Sequence, residues 1–318
     1  MSFKIIGTGS YAPDNIVTND MLSQMVDTSD EWITRRVGVK ERRISTGETT
    51  ADMAIEAAKR AVLNSGIDPS ELDLIIAASV SSESACPTVA GYVQQAIGAT
   101  CPAFDINSAC SGFLFALETA DAFISKGGIS KALVIGAERI SRIIDWTDRS
   151  TCVIFGDGAG AAILESADGH YLSSKLMTSA GDDVIDIPSH IGSSPFFKKE
   201  SKAPFIMMQG QETFKFAVNA LTGDSLEVLE KAGLTADDVK YFVPHQANMR
   251  IISFAAKKLG VDMEKFCVNL DRYGNTSSAS IPMMLDELNR DGKLERGDII
   301  VLSAFGGGLS SAACVIKW

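Results

Sequence analysis

Apolar positions fall on one helical stripe across residues 49–66, where Met53, Ala54, Ala57, Ala58, Ala61 and Val62 share a face. Thr49 and Asp52 give a capping-box pattern ahead of the stripe, and Gly66 suits the left-handed residue just past its end. Leu72 to Ser79 follows as a continuous apolar run rich in Ile, which predicts a strand buried on both faces. A second stripe, Phe214, Ala217, Val218, Leu221, Val228 and Leu229, predicts a helix to Ala232 that stops at Gly233. Helices feeding buried strands predict an α/β architecture.

The two stretches are copies of one pattern. Gly66 to Ser79 lies over Gly233 to Gln246 at an offset of 167 residues, and Ala132 to Ala137 lies over Ile299 to Ala304 at the same offset. Between them Phe104 to Asn107 lies over Phe266 to Asn269 at an offset of 162. Three matches in one order predict an internal duplication, broken where Ser166 to Gly169 interrupts the pattern. We therefore expect an N-terminal half over 1–168 and a C-terminal half over 169–318. Two similar halves facing each other bring corresponding loops to a shared centre.

Composition narrows the function. With 318 residues, 46% hydrophobic and 22% charged, the chain can bury a sizeable core and is not expected to be disordered. Its net charge of −11 repels phosphate backbones, which argues against a nucleic-acid surface but leaves room for a local site for one phosphorylated ligand. No apolar run approaches the ~18 residues of a membrane span, and the opening MSFKIIGTGS lacks an export signal's apolar stretch. Six cysteines with no CxxC spacing predict reduced thiols and a cytoplasmic protein. The three histidines include no i, i+4 pair, so no zinc site is expected.

Three residues stand in chemically suggestive places. Ala103 to Ile106 reads as a strand, Asn107 to Gly112 as a tight turn, and Phe113, Leu114, Leu117, Ala120 and Ile124 as a buried helix ending at Lys126. Cys110 thus sits at a helix N-terminus, where unpaired N–H groups and the helix dipole favour a thiolate and a lowered pKa. A cysteine there can be a nucleophile or a small buried apolar residue. His245 follows the strand-like Tyr241 to Pro244 and precedes a helix marked by Ile251, Ile252, Ala255, Ala256 and Leu259. It can be a working imidazole or a satisfied core residue. Asn275 lies in the polar loop YGNTSSASIP, where it can be a site residue or a turn former beside Gly274.

Taken together, NSACSGF (107–113), PHQANMRI (244–251), YGNTSSASIP (273–282) and AFGGGLSSA (304–312) resemble the β-ketoacyl-acyl-carrier-protein synthase III family. FGDGAGAAIL (155–164) and DEWITRRVGVKERR (30–43) resemble it too, so the likeness runs nearly end to end. The resemblance implies a thiolase-like fold, five αβαβα layers built from two duplicated βα halves, and a homodimer. It implies an acyltransferase of fatty-acid biosynthesis that condenses an acyl-CoA primer with malonyl on acyl carrier protein, releasing CoA and CO2. No metal or bound cofactor is implied.

The resemblance assigns roles residue by residue. Cys110 would carry the acyl group, and His245 and Asn275 would donate to the malonyl thioester oxygen as an enolate forms. Asn can donate to a developing oxyanion although it cannot act as a base. The N–H groups of Cys110 and Gly307 would form the oxyanion hole, with the glycines after Phe305 allowing close approach. CoA would be held with its adenine between Trp32 and Arg149, its phosphates on Arg36 and Arg250, and further contacts at Gly210 and Asn248. Carrier protein would dock on Gln246, Ala247, Asn248, Met249, Arg250, Lys215, Lys257 and Lys258. Outside the resemblance, Arg35, Arg36, Arg42 and Arg43 read as a solvated charged face.

Ile140, Phe155, Met208 and Phe305 would line the acyl pocket. Cys86 stands where many relatives carry a bulky aromatic that closes the neighbouring subunit's pocket, so longer or branched primers are expected. Related enzymes differ at the third residue, where elongating synthases resemble a Cys-His-His set and thiolases use a second cysteine. Cys314 lies in an apolar run, and Glu83 is the candidate nearest to a hydroxymethylglutaryl-type base. The alternatives are a starter-unit enzyme of polyketide or other secondary metabolism and a non-catalytic acyl-binding scaffold.

Overall fold

The computed structural model describes residues 2–188, 196 and 203–318. Its principal strands are β1 (Ser2–Tyr11), β2 (Leu74–Ala78), β3 (Ala103–Ile106), β4 (Lys131–Arg139), β5 (Asp157–Ala167), β6 (Tyr171–Thr178), β7 (Tyr241–Pro244), β8 (Ile299–Gly306) and β9 (Ser310–Lys317). The principal helices are α1 (Asp30–Arg36), α2 (Thr50–Ser65), α3 (Val89–Ile97), α4 (Gly112–Lys126), α5 (Gly210–Ala232), α6 (Met249–Leu259) and α7 (Ser280–Arg290). Helix α2 forms as its pattern predicts: Thr49 and Asp52 close a reciprocal capping box, and Gly66 takes the left-handed conformation past the end.

The strands make two sheets, ordered β1-β5-β4-β2-β3 and β7-β8-β9-β6. Helices α4 and α7 lie between the sheets in one apolar core with Leu74, Ile76 and Val134 from the first and Val243, Ile300 and Leu302 from the second. On the outer face of the first sheet, α2 and α3 pack against Ile75, Leu133 and Ile163. Outside the second sheet, α5 and α6 cover Phe242, Val301 and Val315. The layers therefore run α/β/α/β/α. Glycines let the inner helix approach the sheet: a Cβ on Gly160 would stand 2.6 Å from the Met283 nitrogen of α7.

The order β2-β4-β5-β1 is repeated by β7-β8-β9-β6. The register corrects two of the sequence matches by one residue. Leu74 pairs with Ala132 while Tyr241 pairs with Ile300, so Ala132 corresponds to Ile300 rather than to Ile299. Likewise Ala103 pairs with Ile75 and Phe266 bridges Phe242, so Phe104 corresponds to Cys267. Strand side chains alternate between faces, and only this register keeps Ala132 and Ile300 both in the central core. Apolar runs buried on both faces look alike when shifted by one, which is why the sequence pattern misses the slip.

A cap of short segments covers one end of the sheets, with Leu22, Ile33, Val37, Ile140, Ile143, Val153, Phe155 and Ile206 in one cluster. Arg42 lies inside this cap and is fully buried, which corrects its expected place on a solvated face. Its Nη atoms donate to the carbonyls of Val17 and Val153 and to Asn19 Oδ1, and burial lowers its pKa to about 10. No helix among the described residues is long and apolar enough to cross a membrane.

Candidate active site

Cys110 sits on a 3-10 turn, Ala109–Ser111, that leads directly into α4. The turn is strained: Ala109 has φ +46°, and across the site Ser277 has φ +50°, positions an L side chain rarely takes. Gly306, at the end of β8, must lack a side chain, because a Cβ there would stand 2.8 Å from the Cys110 nitrogen. The thiol is half-buried, and its accessible side faces the floor of a deep cavity.

That environment corrects the expected thiolate. Burial pushes the Cys110 thiol up to about 12, Glu138 adds to the shift, and a hydrogen bond from Ser277 opposes it only in part. Desolvation and a nearby negative charge outweigh the helix N-terminus, so the resting side chain is a thiol. Cys314, set in strand β9, is likewise pushed up by burial and lies in the core rather than in a glycine loop.

His245 ends up buried one residue past β7, with its N–H on the Ser303 carbonyl and its ring edge-on to Phe305 at 5.3 Å. Burial drives its pKa down to about 3, so the imidazole is neutral. Its Nδ1 lies 2.7 Å from Ser280 Oγ, which is also within 3.4 Å of the Gln246 N–H. The Ser280 hydroxyl can accept from that N–H and donate to Nδ1, the arrangement in which Nε2 carries the ring proton. His245 is then a neutral donor toward the cavity. Asn275 is oriented the same way: its Oδ1 accepts from the Ser277 N–H at 2.8 Å, leaving the amide NH2 to donate. The cap positions this loop, with the Asn275 N–H on the Ile154 carbonyl and the Gly156 N–H on the Asn275 carbonyl.

Cys110, His245 and Asn275 all line one cavity of about 680 Å³. Trp32, Arg36, Gly210, Lys215, Asn248 and Arg250 line the same cavity, as does Gly307. Ile140, Phe155, Met208 and Phe305 are apolar parts of its wall. Cys86, expected at the neighbouring subunit's pocket, is exposed in this chain. Two more residues depart from their expected places. Gln246 is buried, donating to the carbonyls of Pro244 and Cys267 and accepting from the Asn269 N–H, so it braces the loop instead of meeting a partner. The Arg149 guanidinium lies over the Trp32 ring at 5.5 Å and bonds Asp27, so the expected adenine slot between them is closed. Opening it requires Arg149 to swing off the ring.

Ala247 is buried in the cavity wall, and Met249 is half-buried with its N–H tied to the Val37 carbonyl. Asn248 caps α6 by accepting from the Arg250 N–H. Arg250, Lys257 and Lys258 are exposed along that helix, and Lys215 pairs with Glu212 at its rim. Glu83 pairs with Arg139 at 3.1 Å and bonds the Thr50 N–H, outside the cavity. Sequence reasoning missed Glu138, Ser277 and Ser280, while Gly306 is one of the glycines expected to allow a close approach. Ser277 and Ser280 lie within the loop motif already singled out, but nothing in its pattern marks which hydroxyl faces inward.

Residues 104–180 match the family described as 3-oxoacyl-[acyl-carrier-protein (ACP)] synthase III, and residues 229–318 match its C-terminal part. The chain is 51% identical over 321 residues to the beta-ketoacyl-[acyl-carrier-protein] synthase III of Clostridium acetobutylicum, covering 100% of this chain and 99% of that protein. It is 50% identical to the protein of the same name from Clostridium novyi, covering 99% and 98% of the two chains. The crystal structure of 3-oxoacyl-[acyl-carrier-protein] synthase III from Aquifex aeolicus VF5 superposes with a TM-score of 0.93 at 44% identity, covering 99% of this chain and 100% of that one. With these matches and the layered fold in agreement, the chain belongs to the 3-oxoacyl-[acyl-carrier-protein] synthase III family of thiolase-fold condensing acyltransferases.

Proposed function

We propose that this protein transfers a primer acyl group from acyl-CoA to Cys110 and condenses it with malonyl on acyl carrier protein, giving 3-oxoacyl carrier protein, CoA and CO2. The observation that carries this reading is the convergence of Cys110, His245 and Asn275 on one cavity whose mouth holds Trp32, Arg36 and Arg250. In the first half-reaction the Cys110 sulfur attacks the acyl carbonyl, and the Cys110 and Gly307 N–H groups stabilise the oxyanion. In the second, malonyl loses CO2 while His245 Nε2–H and the Asn275 amide hold the enolate oxygen. The enolate carbon then attacks the Cys110 thioester. A neutral imidazole suits this task, since it donates without surrendering its proton. The reading needs no metal or bound cofactor.

Residues 1–168 supply Cys110 and residues 169–318 supply His245 and Asn275, so the site forms where the two halves meet. The repeated strand order supports that division. We read the protein as a cytoplasmic homodimer, with Cys86 presented to the neighbouring subunit's acyl pocket. The exposure of Cys86 supports that placement. Intact-protein mass spectrometry after incubation with acetyl-, isobutyryl- and hexanoyl-CoA tests the function. One acyl adduct, discharged by malonyl carrier protein, is the expected result, and the best-loaded group names the primer class. No adduct with any of the three overturns the reading.

Carrier protein is an acidic partner for a chain of net charge −11, so docking needs a local basic face. The exposed positions of α6 provide one: Arg250, Phe254, Lys257 and Lys258, with Phe254 edge-on to Phe214 at 5.5 Å. Arg250→Glu should raise the KM for malonyl carrier protein by about tenfold at low salt and less at high salt, with kcat little changed. A carrier-protein KM that does not move rules this face out.

A further inference from the structure

Ser277 holds a backbone that an L side chain rarely takes, with φ +50°, and such strain persists only where the surroundings over-determine it. The residue opens a buried 3-10 turn, Ser277–Ala279, that leads into α7. Its N–H points back to Asn275 Oδ1 at 2.8 Å, which leaves the amide NH2 to face the cavity. The strained turn and the aim of Asn275 therefore belong together.

Glu138, near the end of β4, supplies the restraint from the other half of the chain. It is fully buried and does not line the cavity. Its Oε1 accepts from Ser277 Oγ at 3.1 Å and lies 2.9 Å from Ser278 Oγ, which also reaches the Ala78 carbonyl at 3.0 Å. Its Oε2 accepts from Ser81 Oγ at 2.5 Å and from the Val80 N–H at 3.1 Å. One oxygen thus grips the turn and the other the loop after β2. The strand and the turn are also shaped to meet, since a Cβ on Gly136 would stand 2.2 Å from the Ser278 carbonyl oxygen. The arginines nearby are engaged elsewhere: Arg139 pairs with Glu83, and Arg142 donates to the carbonyls of Ser81 and Ser82. An apolar side chain would avoid the desolvation that a buried carboxyl suffers, but it could not gather these donors.

We propose that Glu138 is a positioning residue for Asn275: by clamping the hydroxyls of Ser277 and Ser278 it keeps the Asn275 amide aimed at the enolate oxygen. This rests on the condensing-enzyme reading above. Without the clamp Ser277 relaxes toward an ordinary backbone and its N–H leaves Asn275 Oδ1. The amide can then turn its own oxygen, an acceptor, toward the developing negative charge. The acylation machinery is held by other contacts. Ser310 Oγ lies 3.2 Å from the Ser108 carbonyl and 2.9 Å from the Gly307 carbonyl, and neither contact involves Glu138.

The two half-reactions separate this role from a general structural one. Glu138→Ala should lower kcat for malonyl decarboxylation about 10²-fold, with the carrier-protein KM and the rate of Cys110 acylation within about threefold of wild type. In an Asn275→Ala background the same substitution should lower decarboxylation no more than about threefold further, because the group it aims is gone. Ser278→Ala removes one of the two clamped hydroxyls and should show the same split at about tenfold, which decides the matter if Glu138→Ala does not fold. Equal loss of both half-reactions means that Glu138 only shapes the fold, and an undiminished loss in the Asn275→Ala background means that it acts elsewhere. Either result overturns the proposal, as does unchanged decarboxylation. Wild-type protein that releases no CO2 from malonyl carrier protein refutes the condensing reading itself, a failure visible before any variant is made.

Discussion

Cys110→Ala should abolish the acyl adduct and lower condensation by at least about 10⁴-fold, the scale on which a covalent nucleophile's loss is felt. The effect is chemical. Alanine fits the turn, leaves α4 intact and removes only the sulfur. Decarboxylation of malonyl should survive, because His245 is held by Ser280 and Asn275 by the Ser277 N–H, neither of which involves the thiol. Intact mass for the adduct and CO2 release for the other half-reaction check both parts. Of the other cysteines Cys101, Cys152, Cys267 and Cys314 are buried and only Cys86 is exposed, so an adduct that persists in the variant would point to Cys86. It would remove Cys110 from the mechanism.

Asn275→Ala and His245→Ala should show the opposite split, each cutting malonyl decarboxylation by about 10²–10³-fold with acyl loading kept. That range is what one preorganised donor to an oxyanion is worth. Both donors aim at the same oxygen, so the double variant should lose less than the product of the single effects. The geometry is built to keep them donors. Burial holds His245 neutral with a pKa near 3, and the Ser277 N–H fixes which end of the Asn275 amide faces the cavity. Loss of acyl loading in either variant would mean that these residues serve Cys110 itself.

Much of this site is legible along the chain. The tight turn before a buried helix marks Cys110, the strand-to-helix loop marks His245, and a polar loop marks Asn275. The duplicated pattern says that loops from two halves converge. The residues expected to dock carrier protein are less legible. Gln246 and Arg250 share one motif, yet one is buried in loop carbonyls and the other is exposed. Arg42 sits in a run of charges that reads as a solvated face and is instead fully buried. A run of residue types cannot say which member turns inward when the backbone around it is irregular.

The sequence by itself determined the α/β order, the caps of α2, the repeat and the three residues that meet in one cavity. These depend on neighbours a few positions apart, where periodicity, capping and turn preference act. The tertiary structure alone decided the strand register, the protonation of Cys110 and His245, the closed slot between Trp32 and Arg149, and the burial of Glu138 against Ser277. Register is fixed by which face of every strand meets the central helices. Protonation is fixed by the water removed and the charges brought near from both halves. Glu138 and Ser277 are 139 positions apart in the chain and 3.1 Å apart in space.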